Sequence, residues 1–196
     1  MSVKPMVVVL SGPSGVGKDT VLDRMKRSGG SMYFTVTATT RPRRSQEVDC
    51  VDYRFVSRDK FRAMIDGEEL LEWAEVYGNL YGVPKNQVRE SLQQGHDVVI
   101  KVDIQGAETI KRLIPQALLI FVSPPSMEAL EKRLRKRSTE SASDLQRRIA
   151  TARQEMDKQR LFDYVVVNDE VGRAVDEIND IIAKEKGRAN REAVEL

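Results

Sequence analysis

The chain has 196 residues, 40% of them hydrophobic, which is enough for one sizeable core and too little for several independent domains. Its 32 Lys and Arg residues nearly balance 30 Asp and Glu residues, and the formal charge of +2 excludes a global field that would attract nucleic acid or a membrane surface. The single cysteine, Cys50, excludes an intramolecular disulfide, and the apolar runs are too short to span a bilayer. We therefore expect a cytoplasmic protein without a nucleic-acid or membrane partner, and the sequence leaves its oligomeric state open.

Short apolar runs rich in β-branched residues alternate with amphipathic stretches along the chain. The apolar runs are typical of buried strands and lie at residues 6–11, 97–103, 117–123 and 164–168. The amphipathic stretches predict helices at residues 18–27, 105–113, 126–137, 143–158 and 171–186. Because parallel strands need the crossovers that helices supply, the alternation predicts an α/β fold with a parallel sheet flanked by helices.

Two segments interrupt this alternation. The first, from residue 34 to residue 94, indicates an inserted α+β lobe, with strand-like pieces at 34–38, 53–57 and 70–77 and helical patterns at 59–65 and 84–93. The second follows the run at 117–123, where Pro124 and Pro125 stop the strand and an Arg-dense pair of helices begins. We expect that pair of helices to form a lid.

A glycine-rich motif, G-P-S-G-V-G-K-D-T, directly follows the first apolar run. It matches the phosphate-binding loop G-x-x-x-x-G-K-[ST] at its first seven positions. Glycines let backbone N–H groups surround phosphate oxygens, the lysine reaches the β- and γ-phosphates, and the following helix adds its positive end. The alternative is a glycine-rich turn before a helix. The motif predicts a P-loop that binds ATP through Gly12, Pro13, Ser14, Gly15, Val16, Gly17, Lys18, Asp19 and Thr20, with Lys18 as a catalytic group.

The eighth position of the motif is Asp19, where the pattern calls for a Ser or Thr hydroxyl that ligates Mg²⁺. An aspartate is also a hard oxygen ligand, so we expect Asp19 to bind Mg²⁺ directly or through water, although it adds negative charge beside the triphosphate. Thr20 lies one place out of register and is a poor substitute.

Together with further blocks along the chain, this loop resembles the guanylate kinase family. The blocks stand in family order and spacing between Val7 and about Ile182, and read T-A-T-T-R-P-R-R, V-D-Y-R-F-V-S, L-L-E-W-A-E-V-Y-G-N-L-Y-G, D-I-Q-G-A and Y-V-V-V-N-D. The resemblance implies a P-loop NTPase-like fold and transfer of the γ-phosphoryl group of ATP to GMP or dGMP, with Mg²⁺ as cofactor. It implies a single domain, 1–196, with a core at about 1–33, 94–123 and 156–190, a GMP-binding lobe at about 34–93 and a lid at about 124–155.

The resemblance also implies a set of GMP-binding residues. Two guanidinium groups and phenols suit an acceptor phosphate, while a carboxylate accepts from both N1–H and the 2-amino group of guanine and finds neither donor on adenine. A solvated basic loop or a nucleic-acid patch is the alternative for the arginines, and an ordinary solvated strand residue is the alternative for Glu72. The implied residues are Arg41, Arg44, Tyr53 and Tyr81 at the phosphate, Glu72 and Thr37 at the base, and Asp103.

On the ATP side, the resemblance implies that arginines of the lid approach the nucleotide and that Asn168 contacts adenine. Phosphoryl transfer needs little covalent help from the protein, so cations that close over a charge-spread transition state are the main catalytic contribution. The implied lid residues are Arg133, Arg137 and Arg148, and the implied catalytic set is Lys18, Arg41, Arg137 and Arg148.

The chain departs from the family pattern at two further positions. Val83 stands where a second Ser or Thr is usual, which predicts the loss of one hydrogen bond to the base. Lys101 replaces the first aspartate of a D-x-D pair whose second member, Asp103, is kept. Because Asp19 is an extra acid and Lys101 removes one, we expect the two changes to compensate, with Lys101 neutralising Asp19 or touching a phosphate while Asp19 holds the metal. The alternative is that the two changes indicate altered substrate use.

Two other functions remain open from the sequence. A related kinase that phosphorylates a ribose phosphate shares this core and an acid after the P-loop lysine, but it predicts loss of the GMP-binding set. A guanylate-kinase-like protein-interaction module resembles the enzyme but typically lacks a working P-loop.

Overall fold

The computed structural model describes residues 4–137, 142–188, 192–194 and 196, with the side chains of 137 and 142–144 left out. Its helices and strands follow the predicted alternation closely. In chain order they are β1 Val7–Ser11, α1 Lys18–Arg27, β2 Tyr33–Phe34, β3 Ala38–Thr39, β4 Arg54–Phe55, α2 Arg58–Asp66, β5 Leu70–Val76, β6 Asn79–Pro84, α3 Lys85–Gln93, β7 Val98–Lys101, α4 Ile104–Leu113, β8 Leu118–Ser123, α5 Met127–Arg137, α6 Ala142–Asp157, a 3₁₀ turn Lys158–Leu161, β9 Tyr164–Val167 and α7 Val171–Lys186.

A five-stranded parallel sheet in the order β2-β7-β1-β8-β9 forms the centre of the protein. Its central strand, β1, is buried along its whole length, and its side chains are apolar on both faces up to Ser11 at its end. Val8 packs in the same cluster as residues of α1 and α7, whereas Val7 and Val9 pack in the cluster that contains residues of α3 and α4. The predicted α/β fold with a parallel sheet flanked by helices is confirmed.

The direction of the strands brings the candidate site together. Because the strands are parallel, their carboxyl ends meet at one edge of the sheet. At that edge β1 leads into the glycine-rich loop, β7 ends at Lys101, and β9 is followed by Asn168. Residues far apart in sequence are therefore neighbours there.

A second sheet, with strand order β4-β3-β6-β5, lies in the inserted segment and packs against α2. Phe61 and Met64 of α2 are fully buried against Leu70 and Leu80 of that sheet. The sequence suggested one strand at 34–38, and this prediction is wrong. The piece divides into β2, which joins the parallel sheet, and β3, which joins the second sheet.

The division is explained by one side chain of helix α3. Between β2 and β3, the side-chain amide of Gln87 satisfies the backbone of Val36, accepting from its N–H at 2.8 Å and donating to its carbonyl at 3.2 Å.

Strand β6 was not predicted from the sequence, because Gly82 and Pro84 are typical of turns. β6 nevertheless pairs with both β3 and β5, and Pro84 is its last residue.

Helices α5 and α6 pack on the glycine-rich loop. Val16 at the tip of the loop is fully buried in a cluster with Val122, Leu130, Leu134 and Ala152. The two helices that the sequence predicted as a lid are thus in direct contact with the loop. In the described ranges, none of the helices is both long and apolar enough to cross a membrane.

Candidate active site

The loop between β1 and α1 has the geometry that its glycines require. Gly12 has a φ of +142°, and a Cβ atom at this position would lie 2.2 Å from the carbonyl oxygen of Val122. Any other residue would therefore be strained and would collide with β8. Helix α1 starts directly after the loop, so that its positive end faces the loop.

Lys18 lies folded over this loop. Its Nζ donates to the carbonyl of Gly12 and, at 3.2 Å, to that of Pro13. Burial lowers the pKa of Lys18, although the carboxylates of Glu155 and Asp19 oppose that shift. The ammonium is thus poorly hydrated, and an anion that entered the loop would gain a strong electrostatic partner.

Helix α6 places two charged groups on the same loop. Arg148 donates from Nη2 to Ser14 Oγ at 3.1 Å, and Glu155 accepts from the Ser14 N–H at 3.2 Å. Burial raises the pKa of Glu155, although Lys18 opposes that shift. Glu155 was not predicted from the sequence. The seven-residue spacing from Arg148, which puts both side chains on one helix face, was the available signal.

Arg133 and Asn168 meet beneath the loop instead of lining the cavity. The carbonyl of Val16 accepts from Arg133 Nη1 at 2.8 Å and from Asn168 Nδ2 at 2.9 Å. Arg133 Nη2 also donates to the carbonyl of Asn168 at 2.9 Å. Thr20 is exposed on α1 and does not line the cavity, and Arg137 ends α5 with a side chain outside the described part of the protein.

On the other side of the cavity, basic and phenolic groups converge from the second sheet and its loops. The Arg41 guanidinium lies 5.4 Å from the centre of the Tyr53 ring, and the rings of Tyr53 and Tyr81 make an edge-to-face contact at 6.2 Å. Glu47 pairs with Arg41 at 2.7 Å and with Arg44 at 3.7 Å. Burial alone would raise the pKa of Glu47, but these contacts outweigh it and lower the pKa below its usual value.

Glu47, too, was not predicted from the sequence. Its position three residues after Arg44 was the only local signal, and such spacing is common on protein surfaces. Its carboxylate engages both guanidinium groups that the sequence assigned to an acceptor phosphate.

Glu72 is a buried carboxylate at the base of the cavity. It is 5% exposed, and its Oε2 has no hydrogen-bond partner among the described residues. Burial, together with the nearby charge of Asp103, raises the pKa of Glu72 to about 8. Such an unsatisfied buried acceptor is costly unless a ligand supplies donors.

The D-I-Q-G-A block explains how Glu72 is accommodated. Asp103 caps helix α4 by accepting from the N–H of Gly106 at 2.8 Å. A Cβ atom on Gly106 would lie 2.7 Å from Glu72 Oε2, so only glycine leaves room for the carboxylate. Thr37, also buried, donates to the carbonyl of Lys101 at 3.4 Å.

The two residues that depart from the family pattern in charge are in contact. Lys101 Nζ forms an ion pair with Asp19 Oδ1 and donates to the Tyr53 hydroxyl at 2.9 Å. The predicted neutralisation of Asp19 by Lys101 is confirmed. This cluster of three residues links α1, β7 and the segment that leads into β4.

One cavity of about 510 Å³ connects the glycine-rich loop with the acceptor-side groups, whereas Glu47, Arg133 and Asn168 do not line it. Its lining includes the loop from Gly12 to Asp19, and it is completed by Thr37, Arg41, Arg44, Tyr53, Glu72, Tyr81, Lys101, Asp103, Arg148 and Glu155 among others. An anion-binding loop and a second basic set therefore face the same space.

The family model described as guanylate kinase matches residues 4–185. The chain belongs to the guanylate kinase family. It is 46% identical over 196 residues to guanylate kinase 2, chloroplastic/mitochondrial, of Oryza sativa subsp. japonica, a match that covers 98% of this chain and 69% of that protein. It is 45% identical over 186 residues to the guanylate kinase of Desulfitobacterium hafniense, with 95% and 93% covered.

A solved guanylate kinase has the same fold. The crystal structure of guanylate kinase from Anaplasma phagocytophilum matches with a TM-score of 0.81 and 30% sequence identity, covering 97% of this chain and 90% of that one. Burial explains why a valine at position 83 can stand where the family pattern has a Ser or Thr. Its side chain is fully buried in the apolar cluster of the parallel sheet, so the position serves packing in this member of the guanylate kinase family.

The raised pKa of Glu72 predicts how stability depends on pH. Between pH 4.5, the ordinary pKa, and about 8, the folded state holds a proton that the unfolded state has lost, so the free energy of unfolding falls as pH rises. Glu72→Gln removes this contribution. Urea titrations at pH 5.5 and 7.5 give the slope of the unfolding free energy against pH. We expect this slope to be less negative in the variant than in the wild type by about 1 kcal/mol per pH unit. Equal slopes would show that Glu72 is ionised in the folded protein.

Proposed function

We propose that this protein transfers the γ-phosphoryl group of ATP to GMP or dGMP, giving ADP and GDP or dGDP. The observation that carries the proposal is the shared cavity, in which a phosphate-binding loop faces a second basic set with a buried, unsatisfied carboxylate beside it. Transfer between two phosphates needs both in one water-poor space.

For the donor, we assign the ATP phosphates to the backbone of the glycine-rich loop and to Lys18. Arg148 already contacts Ser14 in that loop and would add charge to the same phosphates. Arg137, one helix earlier, is assigned the same role from the family resemblance alone. Arg133 and Asn168 support the loop through the Val16 carbonyl, and we propose that they approach ATP from there.

For the acceptor, we assign the GMP phosphate to Arg41, Arg44, Tyr53 and Tyr81. Entry of a phosphate would displace Glu47 from the two guanidinium groups, exchanging one carboxylate for a dianion. Arg41 would then also face the transferring group.

The guanine base is assigned to Glu72, with Thr37 and Asp103 beside it. The orphan Oε2 atom of Glu72 is an acceptor without a donor, and the N1–H and 2-amino groups of guanine supply two donors. Adenine would leave this acceptor unsatisfied and would place a lone pair against it.

The site fits Mg²⁺ as a cofactor that is bound mainly by the nucleotide. The described residues contain no cluster of three or more His, Cys, Asp or Glu residues arranged for a metal, and Mg²⁺ typically uses one or two carboxylates together with substrate phosphates. We propose Asp19, whose side chain is 48% exposed beside the loop, as the carboxylate that would hold the ion. When bound, Mg²⁺ would neutralise charge on the β- and γ-phosphates.

We further propose the division of the domain into a core, an acceptor lobe at about 34–93 and a lid at about 124–155. The second sheet belongs to the lobe, and α5 and α6 belong to the lid.

A cytoplasmic location is proposed on the single, exposed Cys50, which suits a reducing compartment.

The alternative functions account for fewer of these features. A ribose-phosphate kinase has no use for Glu72 or for the full set of acceptor residues in the cavity. A protein-interaction module has no use for a loop that keeps Gly12 close against β8 and Lys18 folded over its carbonyls.

Isothermal titration with three ligands, magnesium–ATP, GMP and ribose 5-phosphate, separates the three functions. The proposed kinase should bind both magnesium–ATP and GMP, and GMP should bind far more tightly than ribose 5-phosphate. An interaction module should bind neither nucleotide. Binding of ribose 5-phosphate in preference to GMP would favour the ribose-phosphate kinase and contradict the proposal.

Arg44→Ala tests the acceptor assignment. Loss of a charge-assisted contact to phosphate, worth about 1.5–3 kcal/mol, should raise KM for GMP about 10- to 100-fold and lower kcat much less. Arg43→Ala is the matched control, since Arg43 is exposed next to it and does not line the cavity. Steady-state kinetics at saturating ATP measures both. An unchanged KM for GMP would remove Arg44 from the phosphate site.

A further inference from the structure

Lys101 holds a position between the two substrate sites. It is the last residue of β7. Its ammonium contacts Asp19, which follows the glycine-rich loop, and the Tyr53 hydroxyl on the acceptor side. The side chain is only 11% exposed, and Nζ lies 4.2 Å from the centre of the Tyr53 ring. One cation thus connects the donor half of the cavity with the acceptor half.

The charge of this ammonium is permanent near neutral pH. Burial opposes it, but the Tyr53 hydroxyl and the Asp19 carboxylate outweigh that penalty and hold the pKa of Lys101 above its usual value. The ion pair also accounts for the unusual acid in the P-loop, because an unneutralised Asp19 would repel the triphosphate.

The two partners of Lys101 differ in what a substrate would do to them. Tyr53 is assigned to the acceptor phosphate. A phosphate bound at the Tyr53 hydroxyl would carry a charge of about −2 and would lie next to a group that Lys101 already contacts. Asp19 offers a single charge, and its side chain is about half exposed to water, which weakens the ion pair. A flexible lysine stem can follow the stronger anion.

We propose that Lys101 binds the acceptor phosphate when GMP enters, together with the Tyr53 hydroxyl, which donates to the same Asp19 Oδ1 at 3.5 Å. This exchange turns Asp19 Oδ1 from these two donors toward magnesium–ATP and strengthens its binding. The inference rests on the proposed function, since it needs GMP at Tyr53 and the nucleotide at the loop. It makes Lys101 a further substrate-binding residue and explains why an acid in the loop and a lysine on β7 occur together.

Coupling of this kind is reciprocal. If GMP raises the affinity for magnesium–ATP by some factor, then magnesium–ATP raises the affinity for GMP by the same factor. The exchange therefore gives a quantity, the ratio of dissociation constants without and with GMP, in which uniform losses of affinity cancel.

The test is calorimetric titration of the full chain with a non-hydrolysable ATP analogue and Mg²⁺, in the absence and presence of saturating GMP. We expect GMP to tighten binding of the analogue on the order of tenfold in the wild type. In Lys101→Met the ratio should fall to about 1. The same titrations in EDTA should also give a ratio of about 1, because a released Asp19 strengthens binding only through the metal.

Two further variants keep the test decisive. Lys111→Met is the matched control, because Lys111 pairs with Asp163 away from the cavity, and it should keep the wild-type ratio. Asp19→Asn removes the other member of the pair and should also bring the ratio to about 1. This variant replaces Lys101→Met in the test if Lys101→Met does not fold.

The outcomes separate this inference from the proposed function. Tight binding of both ligands with a wild-type ratio near 1, or a tenfold ratio that survives in Lys101→Met or in EDTA, would overturn the exchange and leave the kinase function standing. Absence of GMP binding to the wild type would overturn both.

Discussion

Lys18→Ala is expected to lower kcat by about 10²- to 10³-fold, the loss typical of removing one charge-stabilising group from a preorganised site. Lys18 is held over the loop by the carbonyls of Gly12 and Pro13, with a pKa that burial lowers. A phosphate arriving there replaces those carbonyls and meets a poorly hydrated cation. Because charge on the transferring group grows during the reaction, most of this interaction is realised in the transition state.

The kinetic pattern distinguishes this role from general damage. KM for GMP should change only a few-fold, and Lys18→Met, which keeps the apolar stem, should lose as much activity as Lys18→Ala. Lys60→Ala, an exposed lysine of α2, should behave as wild type. Single-turnover rates together with thermal unfolding provide the measurement. A Lys18→Ala enzyme with wild-type kcat would refute the donor assignment.

Glu72→Gln is expected to cause the largest change in specificity. The wild type should prefer GMP over AMP by on the order of 10⁴ in kcat/KM, because a site built to bind donor groups leaves its carboxylate unpaired with adenine. A neutral amide can donate to adenine N1 as well as accept. We therefore expect the variant to lose about 100-fold or more of this discrimination, through poorer use of GMP and better use of AMP.

The measurement should be made above the pKa of about 8 that Glu72 has in the free protein, for example at pH 8.5, so that the wild-type carboxylate is ionised before GMP binds. Glu75→Gln is the matched control, because Glu75 lies on the same strand, β5, but is exposed. Undiminished preference for GMP in Glu72→Gln would mean that the base is recognised elsewhere.

The sequence predicts local features of this protein well. Helices α1 and α7 have the predicted bounds, because amphipathic periodicity and flanking turns determine them locally. The glycine-rich loop was predictable for the same reason, since its backbone conformation is encoded by its own residues. The contact between Asp19 and Lys101 was inferred from two opposite charge changes at strand ends that a parallel sheet brings together.

Features that depend on distant partners were not predictable. The split of residues 34–38 into two strands is set by the side chain of Gln87, 51 positions away from Val36. Glu155 contacts Ser14 across 141 positions, and its seven-residue spacing from Arg148 indicates a shared helix face but not this distant partner. Strand β6 forms although its glycine and proline favour a turn, because pairing on both sides outweighs their propensity.

A panel of acceptors in a coupled ADP-release assay is the most direct test of the function. With Mg²⁺ and ATP as donor, GMP, dGMP, AMP, CMP, UMP and ribose 5-phosphate are compared by kcat/KM, and the nucleoside diphosphate product is identified. GMP and dGMP should be the only good acceptors, with GDP and dGDP formed in equal amount to ADP. Comparable kcat/KM for AMP, or ADP release that depends on ribose 5-phosphate and not on GMP, would contradict the assignment of this cavity to phosphoryl transfer between ATP and GMP.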